Sequence, residues 1–562
     1  LNVMSNDNLV EVVCENNQST MYVNEGTNLA DMLGMVGLQQ YKPYLAAFVD
    51  NHSKELTYRI FSSKSIRFIP YNSSEGRRIY ARSLFFMLLK TVKELFPNYG
   101  LRMLHPVGRG YYCEMIGAPT APTSQQIEAI RERMRTLAQA DMPLVRGKVK
   151  MEQAIEYFDK QGIHDKLLLL RTRPQFYVSM YNLGGLLGYF YGTMVSSTAA
   201  LKVFDIEPYG DGFVMLLPWS EDPTKVEPIC LQPRLYEVFR QNKEWAKILH
   251  ISNVGSLNKH ILDGQGSDVI KIGEALQEKN FAHMADVIFQ NHHNQGVKLI
   301  LIAGPSSSGK TTFSKRLAIQ LRVLGLEPQM VSLDNYFVER GLTPRDENGE
   351  ADYECIEAWD VESFNAELYR WREGQDVELC RFDFKDGKRY FDGQMSHMNA
   401  NSVLIVEGIH ALNPNLVPHI DPKVQFKIYA SALTTLAVDN TTTIHTTDNR
   451  LLRRIVRDNS YRGRSAYETL KGWSSVRRGE DKYIFPYQEQ ADVMFNTALI
   501  FEFPILARHA MPLLELVPAT EPESAEAIRL LRFLNYFVDM SEHQVPPTSI
   551  LREFIGGSSF EY

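Results

Sequence analysis

Gly304-Pro305-Ser306-Ser307-Ser308-Gly309-Lys310-Thr311 constrains this chain more than any other stretch. It reads G-x-x-x-x-G-K-[ST], a phosphate-binding loop that works only between a strand and a helix. The flanks supply both. Val297 to Ala303 is a short apolar run of β type, and Phe313 to Leu321 spaces its apolar residues as a helix does. Strand, glycine-rich turn and helix start aim backbone N–H groups and a helix dipole at one point, and that point attracts phosphate. Gly304, Ser306, Ser307, Ser308, Gly309, Lys310, Thr311 and Thr312 are therefore expected to bind a nucleotide such as ATP. Lys310 would reach the β- and γ-phosphates, and the Thr311 hydroxyl would hold Mg²⁺.

From residue 296 onward strand and helix patterns alternate, which implies an α/β fold: a parallel sheet with helices on both faces and the loop at the end of its first strand. Residues 9 to about 75 read as a small β-rich module with a helix near Leu29 to Val36. Residues 77 to about 235 mix a long helix, Ile79 to Leu95, with strands such as Gly110 to Met115 and Phe204 to Leu217. The next stretch, to about 295, is helical and polar, as a connector is. The expected units are 1–75, 76–235, 236–295, 296–520 and a tail, 521–562. In the tail Ile550, Leu551, Phe554 and Ile555 suit one buried helical face, docked on either half or on a second subunit of an oligomer.

The composition of the 562 residues, 44% hydrophobic and 23% charged, is that of ordinary globular protein. A net charge of −7 argues against a dedicated nucleic-acid binder. The five cysteines are scattered and form no CxxC pair, so neither a disulfide framework nor a cysteine zinc site is expected, and a cytoplasmic setting fits. No basic-then-apolar signal segment opens the sequence. Pro174 to Leu201 carries no charge but is too polar and glycine-rich for a membrane span; a buried sheet or helix pair is expected there.

The residues beyond the loop decide the chemistry. Pro328 to Leu333 reads as a strand ending at Asp334-Asn335-Tyr336, which places a carboxylate near bound phosphate, able to take a proton from an attacking hydroxyl or simply to cap a turn. Val403 to Val406 is an apolar strand ending in Glu407, an arrangement that holds Mg²⁺ directly or through water. Arg450, Arg453, Arg454 and Arg457 share a helical face, and Arg462-Gly463-Arg464 comes next as a lid-like step. Arginines there would offset charge on a transferred phosphoryl group. Arg477, Arg478 and Lys482 either serve the same pocket or are surface.

In order and spacing, these motifs resemble the uridine kinase and phosphoribulokinase group of P-loop kinases over about residues 296 to 515. The resemblance implies ATP-dependent phosphoryl transfer to a hydroxyl of a small-molecule acceptor. It assigns Asp334 as catalytic base, Glu407 as the Mg²⁺-associated acid, and Arg454, Arg457, Arg462 and Arg464 as helix and lid arginines. Tyr353 to Asp360 is similar to the family's substrate-side segment, with Glu354 at its acid position; Tyr336, Phe382 and Phe384 join the expected acceptor site. One departure stands out. Where pyrimidine nucleoside kinases carry a base-reading histidine, this chain has Gly387. A nucleoside remains the leading acceptor, with a polyol as the alternative.

Residues 9 to 75 look like a TGS domain, a β-grasp module, and 77 to about 217 resemble the α+β editing region of threonyl-tRNA synthetase. That region's HxxxH and CxxxH positions here read Arg82 and Phe86, then Phe190 and Met194, so its metal ligands and acid–base histidines are gone. The implied role is structural or ligand-sensing. Arg77, Arg78, Arg82, Lys90 and Lys93 give a modest basic face that suits RNA or solvent equally. A nucleotide-driven, RNA-associated switch is the competing reading of the whole chain, but no N-K-x-D guanine-reading motif lies beyond the loop. A pseudokinase scaffold fits the intact Lys310, Asp334 and Glu407 poorly.

Overall fold

The computed structural model describes residues 9–38, 43–346, 349, 351–383 and 386–562. At the N-terminus, five strands pair in the order Ser19–Asn24, Leu9–Cys14, Lys64–Pro70, Tyr44–Val49, His52–Glu55. Leu9–Cys14 and Lys64–Pro70 run parallel, and the other pairs are antiparallel. Helix Leu29–Met35, capped by Asn28, buries Leu29, Met32 and Leu33 in the core with Val12, Ile66 and Phe68, which makes a β-grasp.

Helix α1 (Ser74–Leu95) starts where Ser73 accepts the Gly76 N–H. Its apolar residues, among them Ile79, Phe85, Phe86 and Val92, share a core with a four-stranded sheet ordered Asp205–Tyr209, Gly212–Leu216, Gly110–Ile116, Gly100–Val107. Phe204 to Leu217, expected as one strand, is thus a hairpin. Gly210 (φ +55°) makes the turn, and a Cβ on Gly212 would lie 2.2 Å from the Cys113 carbonyl. The uncharged stretch from Pro174 holds the paired strands Tyr177–Leu183 and Leu186–Gly188. No described helix is long and apolar enough to cross a membrane.

Three helices come next, Pro233–Leu249, Val254–Leu262 and α2 (Gly266–Gln295). They lead to a wholly parallel sheet: β1 (Leu299–Ala303), β2 (Glu327–Ser332), β3 (Ser402–Glu407), β4 (Gln425–Ser431) and β5 (Val493–Asn496), in the order β2-β3-β1-β4-β5. β1 and β3 are buried throughout, as helices on both faces require. Ile300, Ile302 and Ile405 face Phe281 of α2 and Phe313 of α3 (Lys310–Val323); Leu301, Leu404 and Val406 face Trp359, Phe364 and Trp371.

The two halves interlock through a hairpin, Ala437–Asp439 with Thr442–Thr443, that leads into α4 (Thr446–Arg462). Lys166 gives its three ammonium protons to Asp439, Thr441 and the Tyr189 carbonyl, each at 2.6 Å and buried. Asn440 at the hairpin tip accepts from the Met103 N–H and from Arg102, both at 2.9 Å. The C-terminal segment packs on its own chain: Ile550 and Phe554 enter the core of Phe281, Phe313 and Phe495.

Candidate active site

The phosphate loop leaves β1 at Gly304, where any Cβ would stand 1.9 Å from the Ala430 carbonyl. It turns through Ser307 (φ +59°) and Gly309 (φ +82°) into α3 at Lys310. Among the described residues the Ser307 and Ser308 hydroxyls are buried without a hydrogen-bond partner, and the Lys310 ammonium donates to the Pro305 carbonyl at 3.3 Å. Thr311 is half-buried at the helix start. These are donors held ready for an anion.

Carboxylates gather opposite. Glu407 ends β3, in register with Ser332 of β2 and Ile302 of β1, and accepts the Ser332 hydroxyl at 2.9 Å. Burial pushes its pKa up to about 7, against the pull of Lys310 and with help from Asp334 and Glu553. Asp334 lies in the single turn Leu333–Tyr336 after β2. The residue is exposed, yet the surrounding protein raises its pKa against Lys310, Arg462 and Arg457. Glu354 is pushed up to about 8 by burial and Glu480, with Arg454 opposing. Among the described residues no cluster of three His, Cys, Asp or Glu forms a metal cage. Glu407, with the Thr311 hydroxyl, fits Mg²⁺, a hard ion that takes one or two carboxylates and completes its shell with water and phosphate oxygens.

The arginines of α4 divide into two sets by burial. Arg450 and Arg453 are 1% and 0% exposed and do not face the cleft. Arg450 grips Glu480 and donates to the Ser306 carbonyl at 3.0 Å; Arg453 pairs with Glu502 at 2.6 Å and reaches the Ser308 carbonyl at 3.5 Å. They brace the loop from behind. Arg454 donates to the Ser306 hydroxyl at 2.6 Å. Arg454, Arg457 and Arg462 surround the buried Asp458 at 3.3, 2.9 and 3.6 Å. Gly463 (φ +64°) ends the helix, and Arg464 is exposed. Glu480, which positions Arg450, carries no signal in the sequence.

Residues 299–499 match the model of the phosphoribulokinase/uridine kinase family. Those residues are a kinase domain of that family. The N-terminal part is similar to threonine–tRNA ligases, 27% identical to that of Symbiobacterium thermophilum and 30% to that of Aromatoleum aromaticum, each over 32% of this chain and 28% of the relative. The chain thus spans under a third of the length of these curated relatives. Among solved structures, a possible uridine kinase from Bacillus stearothermophilus is 20% identical, covers 36% of this chain and 89% of its own, and superposes with a TM-score of 0.23.

On the acceptor side of the kinase domain, Tyr336 is not a lining residue: it is 1% exposed and its hydroxyl donates to Glu367 at 2.5 Å. Phe382 is half-buried, 5.7 Å from the Phe337 ring, which in turn lies 4.3 Å from Trp359 and 6.4 Å from Tyr353. Phe384 lies outside the described residues. His410, missed in the sequence, faces the Glu354 carbonyl at 2.9 Å and the Trp359 ring at 4.7 Å, and burial lowers its pKa to about 4. Gly387 (φ +68°) has no room for a histidine, because a Cβ would meet Arg340 at 2.8 Å.

Thr312, expected on phosphate, spends its donors within the chain. Glu553 accepts its N–H at 3.2 Å and its hydroxyl at 2.7 Å, and Tyr562 stands 2.7 Å from the same hydroxyl. In the N-terminal half, the positions that resemble an editing site are filled: the Phe86 and Phe190 rings lie 4.9 Å apart and Met194 is fully buried.

Proposed function

We propose that the kinase domain transfers the γ-phosphoryl of ATP to a hydroxyl of a small molecule, a nucleoside first among the acceptors. The observation that carries this is the convergence of Lys310, Asp334 and Glu407 on one cleft beside unpartnered loop donors. Lys310 and the loop amides from Ser307 to Thr311 bind and orient the β- and γ-phosphates, the Ser306 N–H being held by Glu480 at 3.1 Å. Thr311 and Glu407 would hold Mg²⁺, which supplies charge neutralisation at those oxygens. Asp334 takes the proton as the acceptor oxygen bonds to the γ-phosphorus and the bond to ADP breaks. Arg454, Arg457, Arg462 and Arg464 offset the spreading charge and exclude water. Glu354, Phe382 and the rings around Phe337 form an acceptor wall suited to a flat base. We take 1–75 as a TGS module and 76–235 as an editing-like module without editing chemistry, joined to the kinase by the helical stretch 236–295.

The test is coupled ADP release with ATP·Mg²⁺ against nucleosides, ribulose 5-phosphate, pantothenate and simple polyols. Acceptor-dependent release that collapses in Asp334→Asn supports the reading and names the substrate class. Release that no acceptor stimulates, unchanged in the variant, overturns it in favour of a nucleotide switch.

A further inference from the structure

A cavity of about 50 Å³ opens where the two halves meet, at the N-terminal end of α4. Arg78, Arg82 and Tyr111 line it from one half, Thr443 and His445 from the other, with Arg529 of the helix Ser524–Leu534. Roughly 10–15 Å³ suffices for one water, so the space takes several waters or one small oxyanion.

The charges around it balance in number but pair unevenly. Arg78 pairs with Glu75 at 2.9 Å and Glu526 at 3.2 Å. Arg529 holds Asp448 through bonds of 2.8 and 2.7 Å and pairs with Glu526 at 2.6 Å. Two guanidiniums thus occupy all three carboxylates. Arg82 is left over: among the described residues it has no ion pair, and its one hydrogen bond goes to the Thr193 carbonyl. Its guanidinium lies against Gly192 (φ +107°), where a Cβ would stand 2.7 Å away, so the backbone is shaped to hold it. Around the same space the Tyr111 hydroxyl and Thr443 hydroxyl, and both ring nitrogens of His445, have no hydrogen-bond partner among the described residues. Burial and the three arginines lower the His445 pKa to about 4 against Asp448, so the ring is neutral near pH 7 and adds no charge.

A half-buried guanidinium with no ion pair among the described residues, next to hydroxyls that have no partner among them, in a space that admits more than one water, suits a small anion. We propose that this cavity binds a small oxyanion, a phosphate or a carboxylate, through Arg82, Thr443 and Tyr111. The site sits on the first turn of α4, a 17-residue helix whose middle braces the phosphate loop and whose far end carries Arg457 and Arg462. One rigid element of about 25 Å therefore joins the cavity to the kinase cleft. Binding stands independently; only its effect on turnover rests on the kinase reading.

The experiment is calorimetric titration of inorganic phosphate, and separately of acetate, into the full chain saturated with a non-hydrolysable ATP analogue and Mg²⁺, so that the phosphate loop is filled. The expected result is one site, with affinity reduced at least tenfold in Arg82→Gln and in Thr443→Val. The preferred anion distinguishes a phosphate ligand from a carboxylate one. No heat with either anion at tens of millimolar, or affinity unchanged in both variants, overturns the site. Thr443→Val leaves Arg82 in place, so a fold lost in Arg82→Gln does not block the test. The same anion is expected to shift KM for ATP in the wild type and not in Arg82→Gln; binding without such a shift overturns the coupling and leaves the site standing.

Discussion

The two clefts of this molecule face opposite physical problems. In the N-terminal half, Phe86, Phe190 and Met194 fill the space where an editing site would lie, and the hydroxyl of the neighbouring Tyr181 is bonded to Glu55. In the C-terminal half the side chains at the cleft are left unfinished: the hydroxyls of Ser307 and Ser308 have no partner among the described residues, and the carboxyls of Glu407 and Glu354 are held well above their usual pKa. A cleft packed with rings gains stability from apolar burial; a cleft of unpaired donors and crowded acids gives up stability that a bound ligand restores. On the proposed reading, the contrast assigns the chemistry to the C-terminal half.

The largest effect that tests it is Asp334→Asn. Loss of a general base removes roughly 10²–10⁴-fold of kcat. Acceptor-dependent ADP release measures it, and a drop under threefold would move the base elsewhere. The converse change is Phe86→Ala. Removing a fully buried ring costs about 3–5 kcal/mol, read from urea unfolding. KM for ATP should not change. A kinetic effect as large as the stability effect would mean the filled cleft works on the kinase in more than a structural way.

The C-terminal site is legible in the sequence because a phosphate loop is a local motif whose roles derive from spacing. Gly304 and Gly309 are readable as glycines that nothing else can replace, and Asp334 and Glu407 as acids at strand ends. The hidden features are long-range. Nothing near Glu553 announces that it lies on Thr312, 241 residues away. Arg450 and Arg453 look like their neighbours on the helix, and only their burial against Glu480 and Glu502 separates braces from cleft arginines. The packing of Tyr336 inside the domain is likewise a tertiary fact, set by Glu367 and Phe364. Phe204 to Leu217, by contrast, contains a turn that Gly210-Asp211 does signal, since a two-residue Gly-Asp step between strand segments marks a hairpin.

A smaller effect sharpens the comparison through pH. Glu407 must be ionised to hold Mg²⁺. With its pKa raised to about 7, protons compete with the metal below that pH and cease to compete above it. Apparent Mg²⁺ affinity should therefore fall about tenfold per pH unit below 7 and level off above it. In Glu407→Gln, affinity should be weaker and this pH dependence lost. Metal titrations of ATP turnover between pH 6 and 8 give the slope; a flat wild-type profile would show that Glu407 is not the titrating ligand.

The smallest effect concerns the place where the C-terminal segment touches the loop. Thr312 is the third residue of α3, and its N–H belongs to the helix start that has no partner within the helix. Glu553 supplies a carboxylate to that N–H and to the Thr312 hydroxyl. A nucleotide phosphate would meet this negative charge, while the helix itself is stabilised by it. Glu553→Gln keeps a hydrogen-bonding group of the same shape and removes the charge. A charge at a helix N-terminus is worth about 0.3–1 kcal/mol. Thermal stability should fall by that amount, and KM for ATP should fall by roughly two- to fivefold, the same energy expressed as affinity. Opposite consequences from one substitution separate competition from simple support. A KM that rises with the loss of stability would show that Glu553 holds the loop in its binding shape and does not stand in the nucleotide's way.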